Sequence, residues 1–276
     1  MSTTFDPRYW ASKIKGTFPF RLGCTSYVFP ADILPNVQKL APVFDDIELV
    51  LFESPEVSNI PSPDVVKQLH ELGLQHDLSY TIHLPTDHKA GSIHAAERTA
   101  FCNGVESIVE RLQHIDPYAF VLHLEGIDTH ALPHQVSAWS NGVKDTLDTL
   151  MAKKIFPDVS KVCVENLAYP FEWHKDILSH YKLSKCLDIG HLWKLEPECW
   201  RNQLIDFKND THIVHLHGLD GSKDHVSLNR GNSDDIRTFA TEYLIDFKNV
   251  VTLEVFEEHD TFSSVEFLVN LCQTIN

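Results

Sequence analysis

Apolar residues gather along this chain into eight short runs, at residues 21–28, 46–53, 79–85, 120–126, 161–167, 185–191, 213–218 and 250–256. Several are continuous rather than alternating, as in Val162-Cys163-Val164 or Ile213-Val214, the pattern of parallel strands covered on both faces. Successive runs start 24 to 41 residues apart, enough each time for a helix and two loops. Helical periodicity fills the gaps. Residues 62–73 carry a Ser62 cap, Pro63 in the first turn, Val65, Val66, Leu69 and Leu72 on one face, and Gly73 as terminator. Residues 94–115 repeat Phe101, Val105, Ile108 and Leu112, and Pro133 opens a third helix that runs to Leu150. Shorter helices are predicted at 31–40, 171–180, 197–207 and 233–243, and a last one at 261–275.

Eight strand-helix rounds with right-handed crossovers predict a parallel sheet closed into an α/β barrel, the (β/α)8 or TIM barrel. An open doubly wound sheet is the competitor. It would normally carry a Gly-rich phosphate turn after the first strand, whereas Thr25-Ser26-Tyr27 follows Gly23 here. At 276 residues the chain suits one barrel of about 250 residues with a short extension. The expected division is a lead-in at residues 1–20 across the barrel bottom and a single catalytic barrel at 21–276.

The far ends of the runs carry the chemistry. TIHLP (81–85), VLHLEG (121–126), VCVENL (162–167), CLDIGHLW (186–193), IVHLHG (213–218) and TLEVFE (252–257) are each an apolar run whose far end carries His, Asp or Glu. Barrel active sites sit where strands give way to loops at their C-terminal ends. The candidates there are Glu53, His83, His123, Glu125, Glu165, Asp188, His191, His215, His217 and Glu254, with Asp224 and His225 in the loop after the seventh run. Several carboxylates in one mouth repel one another and lose hydration worth several kcal/mol each. Divalent cations relieve both costs. A mixed His/Asp/Glu donor set points to zinc, manganese or iron rather than to magnesium or calcium, which prefer oxygen. His123/Glu125 and His215/His217 alternate, so in each pair one member is the expected ligand and the other its support.

Composition narrows the partners. The formal net charge of −16 repels polyanions, and no basic cluster offsets it, so nucleic acid is not the expected partner. No run of about 18 apolar residues crosses a membrane, and the start, MSTTFDPRYW, has neither a basic nor an apolar targeting region. The expectation is a soluble cytoplasmic protein acting on a small molecule. The six cysteines form no C-x-x-C pair and are expected to be reduced core residues.

The layout resembles the xylose-isomerase-like barrels that include endonuclease IV and the sugar epimerases, over nearly the whole chain. The resemblance implies a metal site in which Glu165 ends the fifth strand, Asp188 and His191 form the sixth strand's Asp-x-x-His, His215 ends the seventh, His225 lies in the next loop and Glu254 ends the eighth. The epimerases commonly hold one metal, matched by Glu165, Asp188, His215 and Glu254. The phosphodiesterase branch adds positions matched by His83, His123, His191 and His225. This chain departs from it in SKDHVSLNRGN (222–232), where Asp224 is adjacent to His225 and Lys223 stands where an Asp-x-His pattern needs its Asp. The pattern for a third cation is therefore incomplete, and a register slip of two would exchange His215 for His217. One to three divalent ions per chain are implied, with Glu165, Asp188, His191 and Glu254 as the catalytic residues.

A closer resemblance rests on residues 21–40, 45–53, 61–69 and 80–85: RLGCTSYVFPADILPNVQKL, DDIELVLFE, PSPDVVKQL and YTIHLP are similar to the cobamide-remodelling phosphodiesterases of that superfamily. It implies hydrolysis of the nucleotide-loop phosphodiester of a cobamide to cobinamide and α-ribazole phosphate. Glu53, Asn166, His217, Tyr27 and Trp193 are then the substrate-contacting or supporting candidates. Two alternatives stand beside it: a single-metal sugar isomerase or epimerase in which Glu165 and Glu254 move a proton, and a catalytically silent corrinoid-binding protein.

Overall fold

In the computed structural model, which describes residues 5–275 apart from 55 and 196, the apolar runs become β1 (Arg21–Thr25), β2 (Asp46–Val50), β3 (Ser79–His83), β4 (Ala119–Leu122), β5 (Val162–Glu165), β6 (Ser184–Asp188) and β7 (Thr211–Leu216). A short antiparallel hairpin, β8 (Gly218–Asp220) and β9 (Lys223–Val226), follows, and then β10 (Val250–Leu253). β1 to β7 and β10 pair in parallel and close, because β1 bonds to β2 on one side and to β10 on the other. That closure excludes the open sheet.

Strand alternation divides the residues into two shells. Outward residues such as Leu22, Ile47, Ile82, Phe120, Val164, Leu187, Val214 and Val251 pack with the surrounding helices in one large core. Inward, Ala119, Val121, Cys163, Cys186, Ile213 and Val250 form a separate apolar cluster. Two residues beyond this floor, on the same face of each strand, stand His123, Glu165, Asp188 and His215. The period of two that builds the floor thus delivers the polar rim.

The helices are α1 (Pro7–Ile14), α2 (Ile33–Leu40), α3 (Pro63–His76), α4 (Ala95–Leu112), α5 (Pro133–Ala152), α6 (Lys175–Tyr181), α7 (Ile189–Trp193), α8 (Pro197–Leu204), α9 (Ser233–Phe239) and α10 (Glu258–Ile275). Gly73 does not end its helix. α3 runs on to His76 and stops at Asp77 in the left-handed conformation (φ 48°). Gly73 serves packing instead, since a Cβ there would come within 3.3 Å of the Leu78 carbonyl and the Tyr80 ring. The helix expected at 233–243 breaks into α9 and a π turn at Ala240–Leu244. Cys24, Cys102, Cys163 and Cys186 are buried and all six cysteines are free, but Cys199 is exposed rather than in the core. Among the described residues no helix is long and apolar enough to cross a membrane.

At the N-terminal end of the barrel, Lys15 after α1 donates through Nζ to the Phe44 carbonyl (2.6 Å) and the Asp77 carbonyl (3.3 Å). The Gly16 N–H donates to Asp45 Oδ1 (3.0 Å), and Arg21 donates to the Asp45 and Asp77 carbonyls (2.6 and 2.8 Å). One lysine thus joins the segment before β1 to the turns that enter β2 and β3. Replacing it by methionine removes the donor to the part-buried Phe44 carbonyl, at a cost of about 1–3 kcal/mol, while the Asp77 carbonyl keeps Arg21. Lys15→Met should therefore lower the denaturant midpoint, measured by circular dichroism, while leaving metal content at the opposite end unchanged.

Candidate metal centre

Asp188 ends β6 and caps α7: its Oδ1 accepts the His191 N–H at 2.7 Å. The spacing Asp-x-x-His is thus a helix start, which turns His191 back over the strand ends. The His191 Nδ1 lies 2.9 Å from the Asn166 carbonyl, which can only accept, so Nδ1 carries the proton and Nε2 is left with its lone pair. Asn166 is not free for substrate. Its Nδ2 donates to the Asp188 carbonyl (2.9 Å), its Oδ1 accepts the Asp188 N–H (2.8 Å), and it is 1% exposed. It extends the β5–β6 ladder and holds Asp188. At position 190 only glycine fits, because a Cβ on Gly190 would lie 2.1 Å from the His217 ring.

The rim side chains converge in overlapping groups whose ligand atoms lie within 4.8 Å of one another: Glu165, Asp188, His215 and Glu254; His83, His123 and Glu165; His191, Asp224 and His225; and His217, His225 and Glu254. Glu165 belongs to the first two. Its Oε2 lies 3.0 Å from His123 Nε2, 3.7 Å from His83 Nε2 and 3.3 Å from His215 Nδ1. Cys186 also falls near Glu165 and His215, but burial pushes its thiol well above its ordinary range.

Two atoms test whether a cation fits. His215 Nδ1 lies 3.2 Å from Glu254 Oε2, yet both are buried and neither makes a hydrogen bond. Ligand atoms around one ion at about 2.0–2.2 Å stand roughly 3.0–3.4 Å apart. His215 Nδ1 stands at that spacing from both Glu165 Oε2 and Glu254 Oε2, and its unpartnered position is one a divalent ion takes up once the imidazole gives up a proton.

His225 adopts the left-handed conformation (φ 50°), an uncommon state for a residue with a Cβ. Its backbone N–H donates to His217 Nδ1 (3.0 Å), its Nδ1 lies 3.0 Å from the Glu254 carbonyl, and its ring is 4.2 Å from that of His217. In a regular strand Asp224 and His225 would point to opposite faces. The left-handed turn breaks that alternation, so the adjacent pair reaches His191 without the Asp-x-His spacing. Asp224 Oδ2 is also bound by Lys194 (2.5 Å). The register question resolves into two roles: His215 joins Glu165 and Glu254, while His217 Nε2 is 3.3 Å from Asp188.

Other candidates lie apart. Glu53 accepts from Ser58 Oγ (2.5 Å) and joins none of the groups. Trp193 is partly buried and packs edge-on against Phe239 with its indole N–H buried, so its polar atom is not offered to the mouth. Tyr27 accepts from Asn59 Nδ2 (2.6 Å) and lines a cleft of about 560 Å³ with Phe29, Pro30 and Phe256. Phe256 is 5.6 Å from the His225 ring. A larger cavity of about 860 Å³, lined by Tyr9, Phe18 and Leu244, lies at the opposite end of the barrel, where no ligand group stands among the described residues. Sequence reasoning missed Glu48, fully buried with Oε2 2.8 Å from His215 Nε2. The alternation in Asp46-Ile47-Glu48 was the signal, since it puts two carboxylates on the inward face.

Without a cation the imidazoles take the counter-charge. Burial opposes charging His123, yet Glu165 and Glu125 outweigh it and push its pKa up to about 10. His215 is lifted well above its ordinary value, and Glu165 and Asp188 are held low by the facing imidazoles despite their burial.

No protein-family model matches the chain, and neither does any curated protein. Solved structures do. A D-tagatose 3-epimerase-like protein superposes with TM-score 0.71 at 21% identity, covering 93% of this chain and 98% of that one. An AP endonuclease, family 2, from Brucella melitensis gives 0.64 at 15% identity over 91% and 98%. A Thermus thermophilus protein soaked with ZnCl2 gives 0.66 at 19% over 93% and 99%. The fold that this chain shares with them is the (β/α)8 TIM barrel.

Because raised imidazoles hold their protons below the raised pKa, a cation must displace them at neutral pH. Zinc uptake at pH 7.5 should therefore release protons, and affinity should fall as pH is lowered. Titration calorimetry in buffers of different ionisation enthalpy measures this; a heat independent of buffer would contradict the charge state described.

Proposed function

We propose that this protein is a metal-dependent hydrolase that cleaves the nucleotide-loop phosphodiester of a cobamide, releasing cobinamide and α-ribazole phosphate. The observation that carries the hydrolase reading is the second ligand group: His83 and His123 converge on Glu165, beyond the four residues that a single-ion site requires. Adjacent cations activate water, neutralise phosphoryl oxygens and stabilise the departing oxygen. In this reading Glu165 serves both groups, Asp188, His215 and Glu254 complete the first, and His191, Asp224 and His225 complete the outer one.

The choice of a cobamide rests on the sequence resemblance in residues 21–85 and is supported by the cleft beside the centre. Tyr27, Phe29 and Phe256 offer apolar surface beside the rim, and Phe52 and Phe256 are 39% and 40% exposed, which suits a large planar substrate rather than a small sugar. The net charge of −16 argues against a nucleic-acid substrate. We place the activity in the cytoplasm on the sequence reading.

A second reading, a single-metal sugar epimerase, is favoured by the epimerase structures among the superpositions and by the four-residue group, in which Glu165 and Glu254 are carboxylates able to move a proton.

Incubation of the protein with a cobamide and Zn²⁺, Mn²⁺ or Fe²⁺, followed by chromatography, should yield cobinamide. Glu165→Gln and Asp188→Asn should each reduce turnover by at least about 100-fold, because each removes a metal ligand. Absence of cobinamide with all three metals, or epimerisation of a ketose that survives His83→Ala and His123→Ala, would replace this reading with the second.

A further inference from the structure

Glu48 stands on the inward face of β2, in register with Thr25 of β1 and Thr81 of β3. His215 lies on β7, with β1 and β10 between the two strands. The 2.8 Å contact between Glu48 Oε2 and His215 Nε2 therefore spans the barrel interior, and both side chains are fully buried. The other Glu48 oxygen, Oε1, has no hydrogen-bond partner. A buried carboxylate with one bond costs stability that an apolar side chain would not.

The return lies in the histidine tautomer. An ionised carboxylate only accepts hydrogen bonds. With Glu48 on Nε2, that nitrogen keeps its proton when the imidazolium gives one up, and the lone pair is then freed on Nδ1, facing the point where Glu165 Oε2 and Glu254 Oε2 converge, 3.3 and 3.2 Å away. The opposite tautomer would put a proton on Nδ1 and donate it to one of those carboxylates, closing the ligand position. Neither Nδ1 nor Glu254 Oε2 is hydrogen-bonded, as the open position requires.

We propose that Glu48 is a positioning residue of the metal centre: it fixes the tautomer and ring plane of His215 so that Nδ1 serves the cation held by Glu165, Asp188 and Glu254. The inference rests on the metal-centre reading and is independent of whether the reaction is hydrolysis or epimerisation.

Zinc affinity of the whole protein, measured by competition with a chromophoric chelator, tests it in a cycle of wild type, Glu48→Gln, His215→Ala and the double variant. Glutamine keeps the shape of glutamate but can donate as well as accept, so the tautomer is no longer fixed. Glu48→Gln should weaken the tightest zinc site by about 10- to 100-fold, with the thermal midpoint of the metal-free protein within a few degrees of wild type. In the His215→Ala background the same change should cost less than about threefold, because the group through which it acts is gone. Glu48→Leu, apolar and of similar size, should weaken zinc at least as much. A Glu48→Gln protein that binds zinc like wild type, or that loses equally in both backgrounds, would overturn the role of Glu48. Wild-type protein that takes up no zinc would instead overturn the metal-centre reading, and with it this one.

Discussion

Four carboxylates, those of Glu48, Glu165, Asp188 and Glu254, are at most 6% exposed and share one half of the barrel interior. The ion-pair partners they have among the described residues are imidazoles rather than lysine or arginine. Burying that much negative charge costs several kcal/mol per group unless positive charge stands among them. In the metal-free chain the imidazoliums supply it, and they do so by holding protons above their ordinary range. A divalent cation supplies it with fewer groups and releases those protons. The geometry of the rim, the unpartnered atoms of His215 and Glu254 and the shifted ionisations are three consequences of that one charge balance.

The barrel makes this crowding possible because floor and rim are built by the same alternation. Val121, Cys163, Cys186 and Ile213 close the interior from below, and the side chains two positions on cannot retreat into solvent without giving up the strand register. Elements placed after the strands refine the rim: α7 turns His191 inward from its Asp188 cap, and the β8–β9 hairpin brings His225 over His217.

Much of this was legible in the sequence, for a physical reason. Continuous apolar runs ending in His, Asp or Glu report both the parallel sheet and the end at which its chemistry lies, so His83, His123, Glu165, Asp188, His215 and Glu254 could be found without coordinates. Glu48 was harder to see because it lies inside its strand, where the search for strand ends does not look. The pairing of Asp224 with His225 depends on one left-handed residue, which the sequence motif does not encode. Asn166, read as a supporting or contacting residue, takes the supporting role, with both ends of its amide on the Asp188 backbone, whereas Trp193 looked like a contact and has its indole N–H buried. Gly73 looked like a stop signal and is a packing residue.

The four-residue group suits either a sugar epimerase or a phosphodiesterase. What separates them is the positive charge that the flanking imidazoles, His83 and His123 on one side and His191 and His225 on the other, are placed to bind. The direct measurement is elemental analysis of the intact protein after zinc loading and removal of free metal by gel filtration. At least two zinc ions per chain are expected from a rim that holds more than one ligand group; one or none would contradict it.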